Sequence, residues 1–267
     1  MLEQSYGGFE LLVVDDGSSD GTLDVVSSFS DPRLVVHRNE RRLGLPDNWN
    51  RCLSLAAGEY VKFVFQDDTL VPAAVERLLR ALEADTDAAF AFSRREIRHE
   101  GPGLDALPLQ GGVYQVFLDR FYASFRGHIR GVDLVANALA SGHDLTVNVV
   151  GEPSFTLLRR QAALAAGGFD GTFRQLVDWE FWLRLSCGSA IAFVDESLGM
   201  FRVHAGGASA SNHLSLRVRW EFVKLLGRVR REYGALLGPH ERRRLSREQW
   251  RFRRHLVGQA LRAAVGN

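Results

Sequence analysis

Two pairs of adjacent aspartates are the first candidates for chemistry in this chain. Asp15-Asp16 follow the apolar run FELLVV, and Asp67-Asp68 follow YVKFVFQ. Hard divalent cations prefer carboxylate oxygens, and Mg²⁺ commonly joins one or two carboxylates to the phosphates of a substrate. At Asp15-Asp16, turn formation and helix N-capping explain the acids equally well, because Ser and Gly follow them. Asp67 and Asp68 are the stronger metal candidates, because they concentrate negative charge beside a hydrophobic strand.

Short apolar runs and helical periodicities alternate through the first half of the chain. Strands are predicted at residues 9–14, 33–37, 60–65 and 88–93, with amphipathic helices between them. Repeated β-α-β units predict an α/β fold with a mostly parallel, Rossmann-like sheet flanked by helices. Such sheets bind ligands beyond the carboxyl ends of their strands. Both aspartate pairs are predicted to lie at such ends.

The composition is that of a globular protein. Of 267 residues, 46% are hydrophobic and 24% are charged, which excludes the disordered and collagen-like classes. No apolar run reaches the roughly 18 residues of a membrane-spanning helix. The N-terminus has neither the basic start nor the apolar segment of a signal peptide. Two cysteines, Cys52 and Cys187, favour a reducing compartment over a disulfide framework.

Charge is distributed unevenly along the chain. Residues 1–212 carry 19 Lys and Arg against 28 Asp and Glu, whereas residues 213–267 carry 14 against 4. The second segment is predicted to form basic helices broken near Gly238-Pro239. Its arginines are dispersed among Leu, Val and Trp, as in amphipathic helices that lie on a membrane surface or pack on the body of the protein. We therefore expect peripheral attachment to an anionic membrane in the cytoplasm. A solvated hairpin is an equally good explanation, and nucleic-acid binding is less well supported.

Five sequence blocks, in order and at compatible spacing, resemble the family 2 glycosyltransferases with the GT-A fold. The blocks are FELLVVDDGSSDGT, NERRLGLPDNWNRCLSLAAGEYVKFVFQDD, GEPSFTLLRRQAALAAGGFD, LVDWEFWLRL and FRVHAGGAS. The resemblance covers about residues 1–212, so it implies a GT-A domain at 1–212 followed by a basic helical extension at 213–267.

The resemblance implies a function. Such enzymes transfer a sugar from a nucleoside-diphosphate sugar to a hydroxyl of a glycan, lipid-linked or polysaccharide-precursor acceptor. An inverting, metal-dependent reaction is expected here, with Mg²⁺ or Mn²⁺ as the cofactor. A divalent cation neutralises the negative charge that develops on a diphosphate leaving group.

The resemblance also assigns roles to the two aspartate pairs. Asp15 and Asp16 match a motif that contacts the nucleotide. Asp67 and Asp68 match the end of the metal-binding motif, which holds the cation against the diphosphate of the nucleotide sugar. Asp67 is therefore expected to serve both the metal and the nucleotide sugar.

Two further residues receive roles in the same way. Asp178 matches the general base of inverting members, which takes the proton of the acceptor hydroxyl. N-capping of its helix is a compatible second role, and Glu180 is the second candidate base although it faces another side of that helix. His204 matches a histidine near the diphosphate or the metal. A buried, hydrogen-bonded core histidine is the alternative.

Other conspicuous side chains have simpler explanations. Trp182 lies at helical spacing in FWLRL and is predicted to be core, whereas Trp179 is left open between core and sugar stacking. Arg159-Arg160 could contact phosphate, but a surface pair at a helix start is the better explanation.

The chain departs from the family pattern in two places. Members carry an acid two positions before Asp67, where this chain has Phe65. Members also begin with a strand that this chain lacks, because Met1 falls in the helix after it. We expect the strands at 9–14 and 60–65 to flank a gap with unpaired backbone groups. The hypothesis is that the start is too late or that the chain is a fragment.

Two other functions compete with sugar transfer. A sugar-phosphate nucleotidyltransferase also combines an α/β sheet with metal-binding aspartates, but its Gly-rich N-terminal loop is not visible. A degenerate nucleotide-sugar-binding protein or inactive fragment is favoured by Phe65 and the absent strand. A Rossmann dehydrogenase is poorly supported, because no G-x-G-x-x-G follows a predicted strand.

Overall fold

The computed structural model describes residues 1–100, 112–125, 127–140, 145, 147–204 and 216–265. Strands and helices alternate in its first half as the apolar pattern predicts. The elements are β1 (Leu11–Asp15), α1 (Thr22–Ser27), β2 (Leu34–Arg38), α2 (Leu45–Leu55), β3 (Tyr60–Val61), β4 (Thr69–Leu70), α3 (Ala74–Ala84) and β5 (Ala88–Glu100).

The second half contains more helix, including two long C-terminal helices. A 3-10 turn at Pro153–Phe155 precedes β7. The elements are α4 (Gly112–Ala123), β6 (His128–Arg130), α5 (Gly131–Ala140), β7 (Thr156–Arg159), α6 (Arg160–Ala165), α7 (Val177–Ser186), β8 (Ala190–His204), α8 (Leu216–Tyr233) and α9 (Pro239–Val265). The last residues of the FRVHAGGAS block and the boundary predicted at 212 lie outside the described residues.

The described strands form two sheets. In the first, β1 and β2 run parallel. The second follows the order β3-β7-β5-β8-β4, with β6 also on β8, and only its β5–β8 pairing is parallel. The predicted α/β class is confirmed, and the parallel ladders are the long ones. The sheet is nevertheless mixed, because four short pairings are antiparallel.

Two strands differ from their predicted lengths. β5 runs to Glu100, beyond the predicted end at residue 93, because it continues to pair with β8 up to His204. β3 pairs with β7 only through Val61, short of the predicted end at 65. Beyond Val61 the backbone N–H of Phe65 donates to the Ser154 hydroxyl at 3.1 Å instead of to a strand. No ladder joins β1 to β3 in the described part of the chain, so the two sheets are separate.

Helix α7 lies at the centre of the main core. Trp179, Phe181 and Trp182 are fully buried, and the ring of Trp182 lies 5.2 Å from that of Phe90 on β5. Burying side chains of this size stabilises a fold by about 1.5–3 kcal/mol each. Both tryptophans are therefore core residues. Trp179 donates its indole N–H to the carbonyl of Leu145 at 2.9 Å, which leaves its ring no role in stacking on sugar.

The two C-terminal helices pack on this core and on each other. Leu225, Leu226 and Val229 of α8 are buried in the same hydrophobic cluster as α7. Phe222 of α8 stacks on Phe252 of α9 with ring centroids 5.4 Å apart. Among the described residues, no helix combines the length and apolar character needed to cross a membrane.

Candidate active site

The turn between β3 and β4 carries Asp67 and Asp68. Asp68 is 9% exposed, and neither of its carboxylate oxygens has a hydrogen-bond partner of good geometry. Burial raises the pKa of Asp68 to about 7, and the charges of Glu152 and Asp67 add to the rise although the Ser154 hydroxyl opposes it. A buried, unpartnered carboxylate is costly, so Asp68 is poised to accept a cation or a proton.

His204 and Asp67 meet at the end of β8. The Nε2 atom of His204 lies 3.2 Å from Oδ2 of Asp67, and both side chains are partly exposed. This contact brings together two residues separated by more than 130 positions, as expected for residues that share one site. Arg202, which the sequence reasoning missed, donates to Glu100 at 2.6 Å. This hydrogen bond raises the pKa of Arg202, and the negative charges of Asp67 and Asp68 add to the rise.

Asp178 lies at the start of α7 with two hydrogen bonds to its carboxylate. Asn148 donates its amide to Oδ2 at 3.0 Å, and the backbone N–H of Trp179 donates to Oδ1 at 2.7 Å. Burial raises the pKa of Asp178 to about 7, and the negative charge of Glu152 contributes. A carboxylate with this pKa can take a proton near neutral pH, as a general base must.

The alternative base, Glu180, is occupied by ion pairs. It is fully buried, and its carboxylate accepts from Arg184 at 2.8 Å and from Arg228 of α8. Arg184 and Arg228 pair with this carboxylate and hold it away from solvent. Its role is structural, which leaves Asp178 as the candidate base on α7.

Glu152 acts electrostatically on both acids of raised pKa, and its partner Arg95 acts on Asp178. Glu152 contributes negative charge to both Asp68 and Asp178. Its Oε2 atom lies 2.5 Å from Nε of Arg95, which is 3% exposed. Gly151 makes room for this pair, because a Cβ there would come within 2.5 Å of the Arg95 guanidinium. Sequence reasoning missed both residues, although the Gly-Glu pair opening the GEPSF block was a visible signal.

Asp15 and Asp16 build the loop after β1. Asp15 accepts from the backbone N–H of Ser18 at 3.1 Å. The Ser18 side chain and then the backbone hydrogen bonds lower the pKa of Asp15 despite burial. Asp16 accepts from the Asn39 amide at 2.9 Å and from the backbone N–H groups of Leu43 at 2.7 Å and Gly44 at 2.8 Å. Burial alone would raise the pKa of Asp16, but these three hydrogen bonds outweigh it and lower the pKa. No hydrogen bond or ion pair within the described residues joins this loop to Asp67 or Asp68.

The remaining conspicuous residues have structural partners. Arg159 donates to the carbonyls of Ala88 and Leu82, and Arg160 donates to that of Leu53. Phe65 stacks on Trp49 with ring centroids 5.0 Å apart, so an aromatic contact replaces the acid expected there.

The residues present fit a divalent cation only together with a phosphate ligand. The described residues contain no group of three or more His, Cys, Asp and Glu side chains arranged to hold a metal. Mg²⁺ does not require such a group, because it takes one or two carboxylates and completes its shell with phosphate and water. The free oxygens of Asp68 and the neighbouring carboxylate of Asp67 are donors of this kind.

The sequence is similar to that of known glycosyltransferases. Residues 1–121 match the family model described as Glycosyl transferase family 2. An uncharacterized protein of Mycobacterium tuberculosis, MT1568, is 36% identical over 81% of this chain and 65% of its own length. The Escherichia coli UDP-Glc:alpha-D-GlcNAc-diphosphoundecaprenol beta-1,3-glucosyltransferase WfgD is 33% identical over 36% of this chain and 38% of its own. The chain therefore spans less than two thirds of either relative.

A solved structure of similar fold is the mannosyltransferase PcManGT from Pyrobaculum calidifontis, in complex with GDP-Man and Mn²⁺. It aligns with a TM-score of 0.58 and 18% identity, over 99% of this chain and 69% of its own. A central sheet flanked by helices, with acids at its strand ends, together with this likeness defines a GT-A glycosyltransferase fold. The sequence matches agree with this fold, because residues 1–121 are similar to glycosyl transferase family 2.

Proposed function

We propose that this protein transfers a sugar, with inversion, from a nucleoside-diphosphate sugar to a hydroxyl of a lipid-linked glycan acceptor. The observation that carries the proposal is the pairing of two buried acids around Glu152. Asp68 has free carboxylate oxygens, and Asp178 has a pKa of about 7. One suits a cation beside a diphosphate, and the other suits a proton acceptor. The acceptor class follows the name of the similar enzyme WfgD, whose acceptor is a diphosphoundecaprenol-linked sugar.

Each candidate residue has a part in this reaction. Asp178 takes the proton from the acceptor hydroxyl while the oxygen of that hydroxyl forms a bond to the anomeric carbon. The bond from that carbon to the diphosphate oxygen breaks, and its electron pair leaves with the nucleoside diphosphate. Asn148 orients the Asp178 carboxylate during this step.

Asp67 and Asp68 would hold Mg²⁺ or Mn²⁺, with His204 beside them. When bound, the cation would neutralise the charge that develops on the diphosphate. Arg202 adds positive charge at the same place. We propose that the nucleotide lies against the loop of Asp15 and Asp16, whose carboxylates keep lone pairs for a base or ribose hydroxyl after binding the loop.

The test is transfer itself. The protein is incubated with UDP- or GDP-sugars, Mg²⁺ or Mn²⁺ and a diphosphate-linked lipid acceptor, and released nucleoside diphosphate is measured. Asp178→Asn is expected to lower kcat by about 10²–10⁴-fold, the range of general base catalysis, with donor affinity retained. Release of pyrophosphate would indicate nucleotidyl transfer instead. Donor binding without any transfer in the wild type would indicate a degenerate binding protein.

We also propose that the C-terminal helices attach the protein to an anionic membrane on its cytoplasmic side. One stripe of α9 supports this location, because its members recur every three or four residues and all are exposed. The stripe consists of Arg243, Arg247, Trp250, Arg254 and Val257. Trp250 and Val257 are 61% and 59% exposed, and the Arg254 guanidinium lies over the Trp250 ring at 5.3 Å. Interfacial tryptophan beside arginine is the pattern of helices that lie on lipid.

The opposite side of α9 faces the protein. Leu245 and Leu256 are buried there, together with Glu248. Every charged side chain of the outer stripe is therefore an arginine. A groove of about 460 Å³ at the start of α9 is lined by Arg242, Arg243 and Arg247 among others. Each arginine near an anionic surface contributes about 1 kcal/mol of attraction.

Vesicle sedimentation tests this attachment. Binding to vesicles that contain phosphatidylglycerol should exceed binding to vesicles of phosphatidylcholine alone, and it should weaken at high salt. Replacing Arg243, Arg247 and Arg254 with Gln should reduce binding at least about tenfold, because about 3 kcal/mol of attraction is removed. The matched control replaces Arg51, Arg80 and Arg130, which are exposed elsewhere. Equal losses in both variants, or tighter binding to DNA than to lipid, would overturn the proposal.

A further inference from the structure

Helix α8 is fastened to α7 by polar contacts at three levels. Glu221 of α8 reaches the chain just before α7, Arg228 pairs with Glu180 in the first turn of α7, and Tyr233 reaches the last turn. The contacts advance together along both helices. The C-terminal extension therefore forms a continuous support for the helix that carries Asp178.

The contact at Glu221 differs in kind from the others. Glu221 is 4% exposed, and its carboxylate accepts three backbone N–H groups. Arg174 donates to Oε1 at 2.9 Å, and Gln175 and Leu176 donate to Oε2 at 2.9 and 3.0 Å. The start of α7 has no side-chain cap from its own segment. A residue from a distant helix thus satisfies backbone donors that would otherwise lie unpaired.

We propose that Glu221 is a positioning residue for sugar transfer: it fixes the segment that leads into α7 and thereby sets the place of Asp178. This inference rests on the proposed function, in which Asp178 is the base. Asp178 is the second residue of α7, directly after the segment that Glu221 holds. The N–H groups that Glu221 binds precede the first turn of α7, so losing their acceptor loosens the segment from which that turn starts. A displacement of the base by about 1 Å lowers a rate by up to about a hundredfold.

Tyr233 provides a matched comparison on the same pair of helices. It is fully buried, and its hydroxyl contacts the Ser186 hydroxyl at 2.8 Å and donates to the carbonyl of Leu183 at 2.6 Å. Its contacts lie at the far end of α7, about two turns from Asp178. Removing the hydroxyl should loosen that end and leave the base in place.

The experiment compares Glu221→Gln with Tyr233→Phe in the full chain. Glutamine keeps the shape of the side chain, but its NH₂ group faces backbone donors and cannot accept from them. Glu221→Gln is expected to lower kcat at least about tenfold, the size of effect that displaced catalytic groups produce, with the donor KM changed less than about twofold. Tyr233→Phe should leave kcat within about twofold of the wild type. Hydrogen exchange should show faster exchange of the amides at 174–176 in Glu221→Gln alone.

The outcomes separate this inference from the proposed function. Lost amide protection at 174–176 with unchanged kcat would overturn the positioning role, and so would equal kcat losses in both variants. If Glu221→Gln does not fold, Glu221→Asp keeps the charge with a shorter reach and must show the same split between kcat and KM. If Asp178→Asn is as active as the wild type, the assignment of Asp178 as the base is overturned, whatever the exchange data show.

Discussion

Asp16 and Asp68 are each the second acid of a pair that follows an apolar strand, but their surroundings are opposite. The Asp16 carboxylate accepts three hydrogen bonds from the segment that follows β2, and its pKa is lowered. The Asp68 carboxylate has no hydrogen-bond partner of good geometry, and burial raises its pKa to about 7. The Asp16 carboxylate therefore stabilises the fold, whereas the Asp68 carboxylate is available to a ligand.

This difference separates a structural acid from a binding acid. Hydrogen bonds to an ionised carboxylate stabilise the fold by about 1.5–3 kcal/mol each, so the Asp16 loop is firmly built. An unpartnered buried carboxylate lowers stability until a ligand or proton compensates its charge. Substituting the two acids by their amides should therefore change stability in opposite directions.

The largest effect is expected for Asp68→Asn. Transfer should fall at least about a hundredfold, because a carboxylate beside the diphosphate supplies several kcal/mol through the cation it holds. Without metal at pH 8, the variant should be more stable than the wild type by about 1 kcal/mol, since an uncompensated buried charge is removed. Thermal unfolding with and without Mn²⁺ and nucleoside diphosphate measures both effects.

A control separates charge from site in this measurement. Asp24 is exposed on α1, and Asp24→Asn removes the same charge far from any predicted role. It should keep the metal-dependent stabilisation that Asp68→Asn loses. Retention of that stabilisation in Asp68→Asn would contradict the metal assignment.

Asp16→Asn should give the next largest effect, with the opposite sign. We expect a loss of about 1–3 kcal/mol in the free energy of unfolding, because two backbone N–H groups and the Asn39 amide lose a charged acceptor. The pKa of Asp16 is lowered below its ordinary 3.8, so its stabilisation is complete above that value and disappears as the pH falls below it. Urea unfolding at pH 7 and at pH 3 should show the two proteins converging at the lower pH. A constant difference would argue against an ionised, hydrogen-bonded Asp16.

The sequence predicted those parts of the structure that depend on local pattern. Short apolar runs and helical spacing placed β1, α2, α3 and α7 within a few residues, and the turn chemistry located both aspartate pairs. Local pattern did not predict the continuation of β5 to Glu100, because that segment is a strand only through its pairing with β8. It also overestimated β3, whose apolar run lacks a partner strand beyond Val61.

Within the site, the missed residues act through contacts distant in sequence. Arg95 meets Glu152 across 57 positions, and no neighbour of Arg95 in the chain suggests the pair. The different surroundings of Asp16 and Asp68 were likewise invisible, since Leu43 and Gly44 reach Asp16 only through the fold. Residue type identified the acids, but burial and hydrogen bonding decide which carboxylate is held by the fold and which is available to a ligand.

The smallest effect is expected for Glu152→Gln, which tests whether Asp178 belongs with Asp68 as an acid kept free. Burial first, then the charge of Glu152, raises the pKa of Asp178 to about 7, and Arg95 opposes this rise. Removing the Glu152 charge also frees the Arg95 charge from its partner, so both changes lower the pKa of Asp178. The acid limb of the pH profile of kcat/KM should move to lower pH by up to about one unit, because the base must be ionised to act.

Stability should follow the same shift. A carboxyl with a raised folded pKa favours the fold most below its unfolded value of 3.8 and loses that contribution as the pH rises through about 7. In Glu152→Gln the loss should be complete at a lower pH and be smaller in total. Glu196→Gln is the control, because Glu196 is half-exposed and pairs only loosely with Arg77 at 3.7 Å. An acid limb that stays in place, or moves to higher pH, would show that Glu152 does not act on the group that limits transfer.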